Sequence, residues 1–444
     1  HLGWENSVAK LQWNYQPTLE TRLVTTAYSS KFTSIQEQRE FTIRGLSGGM
    51  GLGSEKHERA IRSQLFTRWR SIAINGGVDV RALTFKPAMQ KTYLNLYDAV
   101  VRQSDYRTSQ SSLFTEAEYQ DNRYKLKGGL RYTYYTDAAK HSSHHLDVRL
   151  QGSTFLTRNA GVEVTFDRLS QFQHSLEGLP VGWALDLMVP ASQQLPTEVS
   201  HQYYAGGFWG NDTFYATLGG YYRHLSNMTS YKSLLNLFSV HNVSWEEDVA
   251  TGKGASYGLE LWLEKRKGRW TGSMAYTLSR TTRQFTEINR GLRFPFKFDR
   301  THNLNVQSQY LLQASERREQ RFHTGLYFSS GHNMTIPVAT YSAEDLPFWE
   351  TTSSSSTHNH LYSFHANYRT QMSKVNEYRV ANYLRLDVGY SVLWKRRTWQ
   401  HELTFSLYNV LNRKNPYLVF HEEDRWKQLS LLSIIPSIRW ELRF

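Results

Sequence analysis

The sequence predicts an all-β chain, a transmembrane antiparallel β-barrel, and three observations carry that expectation. Apolar and polar residues alternate up to the final residue, aromatics are abundant where proline is scarce, and short connections alternate with long ones along the chain. The alternation is plainest at the end, where Ser433 to Phe444 reads S-I-I-P-S-I-R-W-E-L-R-F. Ile434, Ile438, Trp440, Leu442 and Phe444 share one parity, broken only at Pro436, and their neighbours are Ser437, Arg439, Glu441 and Arg443. A strand sends successive side chains to opposite faces, so one face here is greasy and the other charged. An edge strand of a soluble sandwich is the competing reading. A chain ending on an aromatic inside such an alternation fits better a barrel whose lipid-facing and lumen-facing residues alternate between aromatic girdles. Ile438, Trp440, Leu442 and Phe444 are therefore the expected membrane-anchoring residues of the last strand, with Trp440 and Phe444 near one interface.

Composition narrows the classes. The chain has 444 residues, 14% aromatic, including 28 Tyr and 13 Trp. No run approaches the roughly 18 apolar residues of a membrane helix. A mean hydropathy of -0.58 does not argue against a bilayer, because a barrel spreads its hydrophobicity over alternate positions. Only 10 prolines interrupt the ladders. The absence of cysteine removes disulfide frameworks, thiolate metal sites and cysteine nucleophiles together. The net charge of +13 is scattered among strands and turns, with no basic block longer than Lys395-Arg396-Arg397, so nucleic acid is not an expected partner. Cations on a lumen wall or near anionic headgroups account for the surplus.

Along the chain, the short links are Lys395 to Gln400, Ala314 to Gln320, Lys265 to Arg269, Gly210 to Thr213, Arg158 to Gly161 and Gln120 to Asn122. Longer stretches lie between them, at Gln171 to Ser200, Leu225 to Gly254, Gln284 to Arg300, Ile336 to Val380 and Tyr417 to Leu431. Periplasmic turns are short and extracellular loops long, so this two-sided rhythm suits a barrel. Single strands show the period of two. His302 to Leu312 sets Leu304, Val306, Tyr310 and Leu312 against Asn303, Asn305, Gln307 and Gln309. Trp270 to Ser279 separates Trp270, Met274, Tyr276 and Leu278 from Thr271, Ser273, Thr277 and Ser279, and Tyr383 to Trp394 sets Leu384, Leu386 and Val388 against Arg385 and Asp387. Further strands are expected at Ser7 to Tyr15, Thr21 to Ser30, Glu58 to Arg68, Ile72 to Phe85, Leu113 to Tyr119, Tyr124 to Tyr135, His145 to Phe155 and Val162 to Arg168. The glycines from Gly45 to Gly53 lack the strand-then-helix context and the Lys-Ser/Thr of a phosphate cradle, and read as a flexible loop.

The count comes to about 17 strands, whereas a closed antiparallel barrel takes an even number. At least one strand is expected ahead of His1, because an open edge in lipid leaves backbone groups unpaired.

Several stretches together are similar to one family. They are Ser256-Tyr257-Gly258-Leu259-Glu260-Leu261, Gly268 to Gly272 with Tyr276 to Arg280, Ile288-Asn289 with Phe294 to Asn305, Leu179 to Pro190, Tyr383 to Asp387, and Leu407 to Pro416. Strongest from about residue 110 onward, they resemble the TonB-dependent outer-membrane receptors of the Bacteroidota type. The resemblance implies residues 1–444 as a single domain, the C-terminal portion of a barrel of about 22 strands whose plug and first strands are absent from this chain. It further implies a multi-pass protein of the bacterial outer membrane importing a scarce nutrient. Its implied partners are outer-membrane lipid, the missing N-terminal plug segment, the inner-membrane TonB energy-coupling complex and, as a candidate, a surface lipoprotein lid. A plugless diffusion porin of about 16 to 18 strands is the alternative.

No enzyme chemistry and no cofactor are expected, because no nucleophile elbow accompanies the 17 histidines. His358, His360 and His365 are weak metal candidates, and His141, His144 and His145 form a second cluster; with no carboxylate or thiolate to complete a ligand set, a solvated polar loop is the preferred reading of each. Weak solute-binding candidates are Trp349, Arg293, Arg385 and Asp387. Asp299-Arg300 and Arg385-Asp387 read as lumen-wall or rim ion pairs.

Overall fold

In a computed structural model, residues 2–43, 46–94, 97–101, 105–176, 187–232, 249–342, 368–422 and 425–444 are described. Seventeen long strands follow one another as a meander: β1 Leu2–Tyr15, β2 Arg22–Ile43, β3 Leu46–Trp69, β4 Ile72–Leu94, β5 Tyr106–Gln120 and β6 Tyr124–Thr136. Next come β7 Ser142–Phe155, β8 Ala160–Gln171, β9 Glu198–Gly210, β10 Phe214–Tyr231, β11 Val249–Lys265 and β12 Trp270–Phe285. The last five are β13 His302–Ala314, β14 Arg318–Ser329, β15 Tyr383–Lys395, β16 Gln400–Tyr408 and β17 Ile435–Arg443. Each pairs antiparallel with the next. Two short segments, Tyr97–Val101 and Phe294–Pro295, complete a sheet of 19 strands. The only helical turn among the described residues is the 3₁₀ segment Asn289–Gly291.

Cross-strand register carries one face around the whole sheet. Leu218 pairs with Leu261, Leu261 with Tyr276, Tyr276 with Leu304, Leu304 with Phe328 and Phe328 with Leu384, so an apolar row crosses six strands. Its neighbours by one residue, Glu260, Thr277, Asn303 and Tyr383, lie on the opposite face. The apolar face is bare: Leu259 is 54%, Trp270 61% and Ile438 71% exposed. A chain in water would cover that surface, and a lipid bath need not.

Aromatics on this face form two belts. Trp69, Tyr119, Tyr124, Trp209, Phe214, Trp270 and Trp440 stand near the short links, while Tyr132, Tyr203, Tyr222, Tyr257 and Tyr276 stand nearer the long ones. From Phe214 to Tyr222 the strand advances about 27 Å, or roughly 20 Å across a layer at the usual barrel tilt. That spacing matches girdles flanking an apolar band about 25 Å tall. Phe444, 98% exposed, and Trp440 sit at the short-link end.

Turn chemistry explains why that end is tight. Asp121 accepts the backbone N–H groups of Arg123 and Tyr124, at 2.7 and 2.6 Å. Asn211 does the same for Thr213 and Phe214, Thr157 serves Asn159 and Ala160, and Ser315 serves Arg318. Short polar side chains that mimic a backbone partner close a reversal in few residues. The chief cause holding the Asp121 carboxyl below its usual range is the Tyr124 N–H.

One expectation needs correction. Residues 46–53, read as a flexible glycine loop, are the first third of β3 and pair with β2. Glycine carries its N–H and C=O into a ladder like any residue, and the adjacent β2 and β4 run 22 and 23 residues alongside. A spanning strand needs only about 9–11 residues, so this hairpin projects beyond the apolar band. Within the long connections, Gln173–Leu176 pairs with Leu187–Pro190, and Leu418–Glu422 with Arg425–Leu429.

β1 and β17 are the sheet edges among the described residues, and both run toward the short-link end. Replacing Leu261 with Arg, at mid-band on the apolar face, should cost about 2–4 kcal/mol, whereas Gln307→Arg on the other face should cost under about 1 kcal/mol. Urea unfolding of the protein folded into lipid vesicles measures the contrast.

Candidate functional site on the inner wall

The second face of the sheet is concave and polar. A hollow of about 880 Å³ opens across β11 to β17, with Glu264, Gln307, His323, Asp387, Glu402 and Arg439 among its lining. Each comes from the parity opposite the apolar rows, so the period-two pattern that builds the outer face also delivers these groups inward. Farther round the wall, Asp79 is 1% exposed. Arg81 pairs with it at 2.7 Å from its own strand, and Arg131 at 3.0 Å from β6. Glu58 takes Lys56 at 3.1 Å, Arg81 at 3.7 Å and the Tyr28 hydroxyl at 2.6 Å. The ring of Phe114 lies between Arg62 and Arg131, at 4.9 and 5.5 Å. A Cβ on Gly77 would meet the Ser63 carbonyl at 2.2 Å and the Phe114 ring at 3.1 Å, so only glycine admits that ring. Nearby, Glu116 pairs with Lys127 and Glu118 with Lys125 across β5 and β6.

Arg385 and Asp387 share this wall on β15, 3.0 Å apart. Arg385 lies 4.1 Å from the Tyr327 ring centre and 4.4 Å from that of Tyr408. It also donates to the hydroxyls of Tyr383 and Tyr408, both at 3.2 Å. Asp387 accepts the Asn409 backbone N–H at 2.9 Å. Both side chains are thus occupied in fixing the wall. Arg293, by contrast, is exposed in the segment after β12. Trp349, His358, His360 and His365 lie outside the described residues.

Sequence motifs resolve into rim fastenings. Asp299 is 3% exposed and, contrary to the expected pairing with Arg300, binds Arg379 at 2.9 Å. The other Asp299 oxygen accepts the Thr281 N–H at 2.6 Å, while Arg300 reaches the Ser329 hydroxyl. Two adjacent residues on an extended chain point apart, so neighbours in sequence rarely pair. Arg379 also donates to Thr301, and the Asn376 amide donates to the Pro295 carbonyl, tying the segments before β13 and β15 together.

The stretch Leu407 to Pro416 makes a second fastening. Asn409, fully buried with φ +54°, donates to the Arg413 and Leu432 carbonyls and accepts the Arg413 N–H. Asn415 accepts the Leu384 N–H and donates to its carbonyl, both at 2.9 Å, replacing a ladder partner where β16 ends.

The three histidines after β6 do not converge. His141 faces Asp137 at 3.5 Å, His144 meets the Tyr132 hydroxyl, and His145 packs edge-on against Phe172. Among the described residues no group of three metal-ligating side chains comes together.

Above β8 and β9 sits a small apolar lobe of Leu176, Val189, Leu195, Tyr231 and Val249. His174 is 1% exposed beside it. Burial pushes its pKa down, against the opposing pull of the Leu195 and Pro196 backbone. Below the unfolded value of about 6.5, the unfolded chain therefore binds more protons than the folded one, and stability is lost as pH falls. The loss is at most about 1.4 kcal/mol per pH unit. Hydrogen-exchange protection factors of residues 187–195, corrected for the intrinsic pH dependence of amide exchange, should fall between pH 7 and 5, and His174→Leu should remove the fall. Asn409→Ala should cost about 1–3 kcal/mol by orphaning buried polar groups, read as a lower urea midpoint.

No protein-family model and no curated protein matches the chain. Solved structures do. The chain is similar to the ferric yersiniabactin uptake receptor FyuA from Yersinia pestis, at 12% identity and TM-score 0.60, covering 99% of this chain and 61% of that one. BauA, the ferric preacinetobactin receptor from Acinetobacter baumannii, aligns at 10% identity and TM-score 0.61, covering 99% and 63%. The ferric citrate transporter FecA aligns at 10% identity and TM-score 0.61, covering 99% and 61%. These are receptors and transporters, not enzymes, and the chain spans 61 to 63% of their length. In fold, the chain is an all-β antiparallel wall that matches the β-barrels of such uptake receptors.

Proposed function

We propose that this chain forms most of the wall of a TonB-dependent outer-membrane transporter that imports a scarce nutrient. The observation that carries the reading is the direction of the sheet edges. β1 and β17 descend together, so they cannot pair antiparallel, and 17 strands do not close on themselves. An odd number of further strands is needed, and about five would complete a barrel of roughly 22. Coverage of nearly all of this chain but 61 to 63% of the receptors supports the same conclusion. The edges alone leave room for an 18-stranded diffusion porin, since one further strand would close it; the similarity to uptake receptors is what favours the importer over it.

In this reading the polar inner wall lines a space filled by a plug domain carried on the missing segment, and the long loops above it take the solute. Arg293 is exposed there as a solute contact, while Arg385 and Asp387 shape the wall. Trp349 is a further loop contact. Similarity to receptors described as carrying ferric complexes supports a chelated metal as cargo. The order of the motifs from Ser256 to Pro416 supports the Bacteroidota type, with the TonB complex as energy source and a surface lipoprotein as candidate lid.

Uptake of a radiolabelled ferric chelate by cells carrying the complete protein, compared with a deletion strain, tests the proposal. Active import should cease when the proton-motive force is collapsed. Uptake that continues unchanged after collapse would establish passive diffusion instead.

A further inference from the structure

The apolar face is not uniformly smooth. Between β9 and β12 it holds a groove of about 660 Å³, walled by Tyr203, Tyr222, Tyr257, Leu259 and Leu278. Its floor is Ala205 opposite Gly220, a pair of small residues next to the ring-bearing pair Tyr203 and Tyr222. The volume lies within the range of small-molecule clefts.

One end of the groove is charged. Arg280 lines it and stands in the same cross-strand row as Tyr222 and Tyr257, the belt nearer the long loops. Above this row, Arg168 pairs with His201 and His201 with His224, all of the outward parity, and Lys253 stands on β11. The register of β8 to β12 places no carboxylate on this face to balance them. Bilayer lipid that merely bathes a barrel needs neither a floored groove nor an unbalanced cation at its mouth. An exposed guanidinium at interface depth suits an oxyanion that offers two oxygens, such as a phosphate, because its planar fork donates two parallel hydrogen bonds.

We propose that this groove is a binding site for a net-anionic lipid whose phosphate carries no neutralising cation of its own, in the leaflet at the long-loop end. One acyl chain lies over Ala205 and Gly220, between the tyrosines, and the phosphate sits on Arg280, with Arg168 and Lys253 farther along the same basic face. The site lies outside the barrel, so it is independent of any solute path along the inner wall, and it does not depend on what the protein imports.

Native mass spectrometry of the complete protein, delipidated and then titrated with lipid A or with phosphatidylcholine, tests it. Lipid A should be retained at least tenfold better than phosphatidylcholine. Arg280→Gln should reduce lipid A retention about fivefold or more, and Arg280→Lys should keep roughly half of it. Ala205→Phe should exclude the chain and remove the selectivity while leaving the charge in place. Equal retention of the two lipids by the unaltered protein would overturn the proposal, even if a variant failed to fold. So would undiminished lipid A retention by Arg280→Gln together with Ala205→Phe.

Discussion

Everything in this molecule follows from the requirement that no backbone N–H or C=O be left unpaired in hydrocarbon. Strands meet it only through their neighbours, so each of the 17 long strands is committed to an antiparallel partner before any side chain is chosen. Once that ladder exists, the pleat sorts the side chains. Odd and even positions become the oil side and the water side, and register keeps the assignment constant from Leu218 to Leu384. The inner-wall ion pairs, the aromatic belts and the outer groove all derive from that division.

The same requirement explains the rim fastenings. Where β16 ends, the ladder loses partners, and Asn415 supplies an amide of matching polarity to Leu384. Asn409 turns the chain with a left-handed φ and satisfies three further groups. Asp299 plays the corresponding part before β13, capping Thr281 and holding Arg379. The polar stretches around Asp299, Asn409 and Asn415 thus stand where the sheet would otherwise fray. Their chemistry is architectural.

Much of this was legible in the sequence because a period of two is a local signal. The faces of His302 to Leu312 came out as read from the alternation, save that Leu312 falls where the pairing skips from Leu311 to Gln313. Tyr383 to Trp394 and the last strand behaved likewise. What was not legible depends on distance. Residues 46–53 are strand because β2 lies beside them, and a run of glycines carries no alternation to announce it. Asp299 finds Arg379 some 80 residues later, a partner that no local spacing encodes. Asp79 is flanked by Arg81 and by Arg131 from two strands away, which only the register reveals. The groove beside Arg280 was likewise invisible, since it needs Ala205 and Gly220 to coincide across strands.

The central claim, that alternate residues face lipid and water, is open to a direct measurement because the chain contains no cysteine. Single cysteines placed in turn at positions 303 to 307 of β13, in the membrane-embedded protein, would be challenged with a charged, membrane-impermeant thiol reagent. The account predicts rapid labelling at 303, 305 and 307 and protection at 304 and 306. Labelling that rises and falls with no period of two, or that reaches both parities equally, would contradict it.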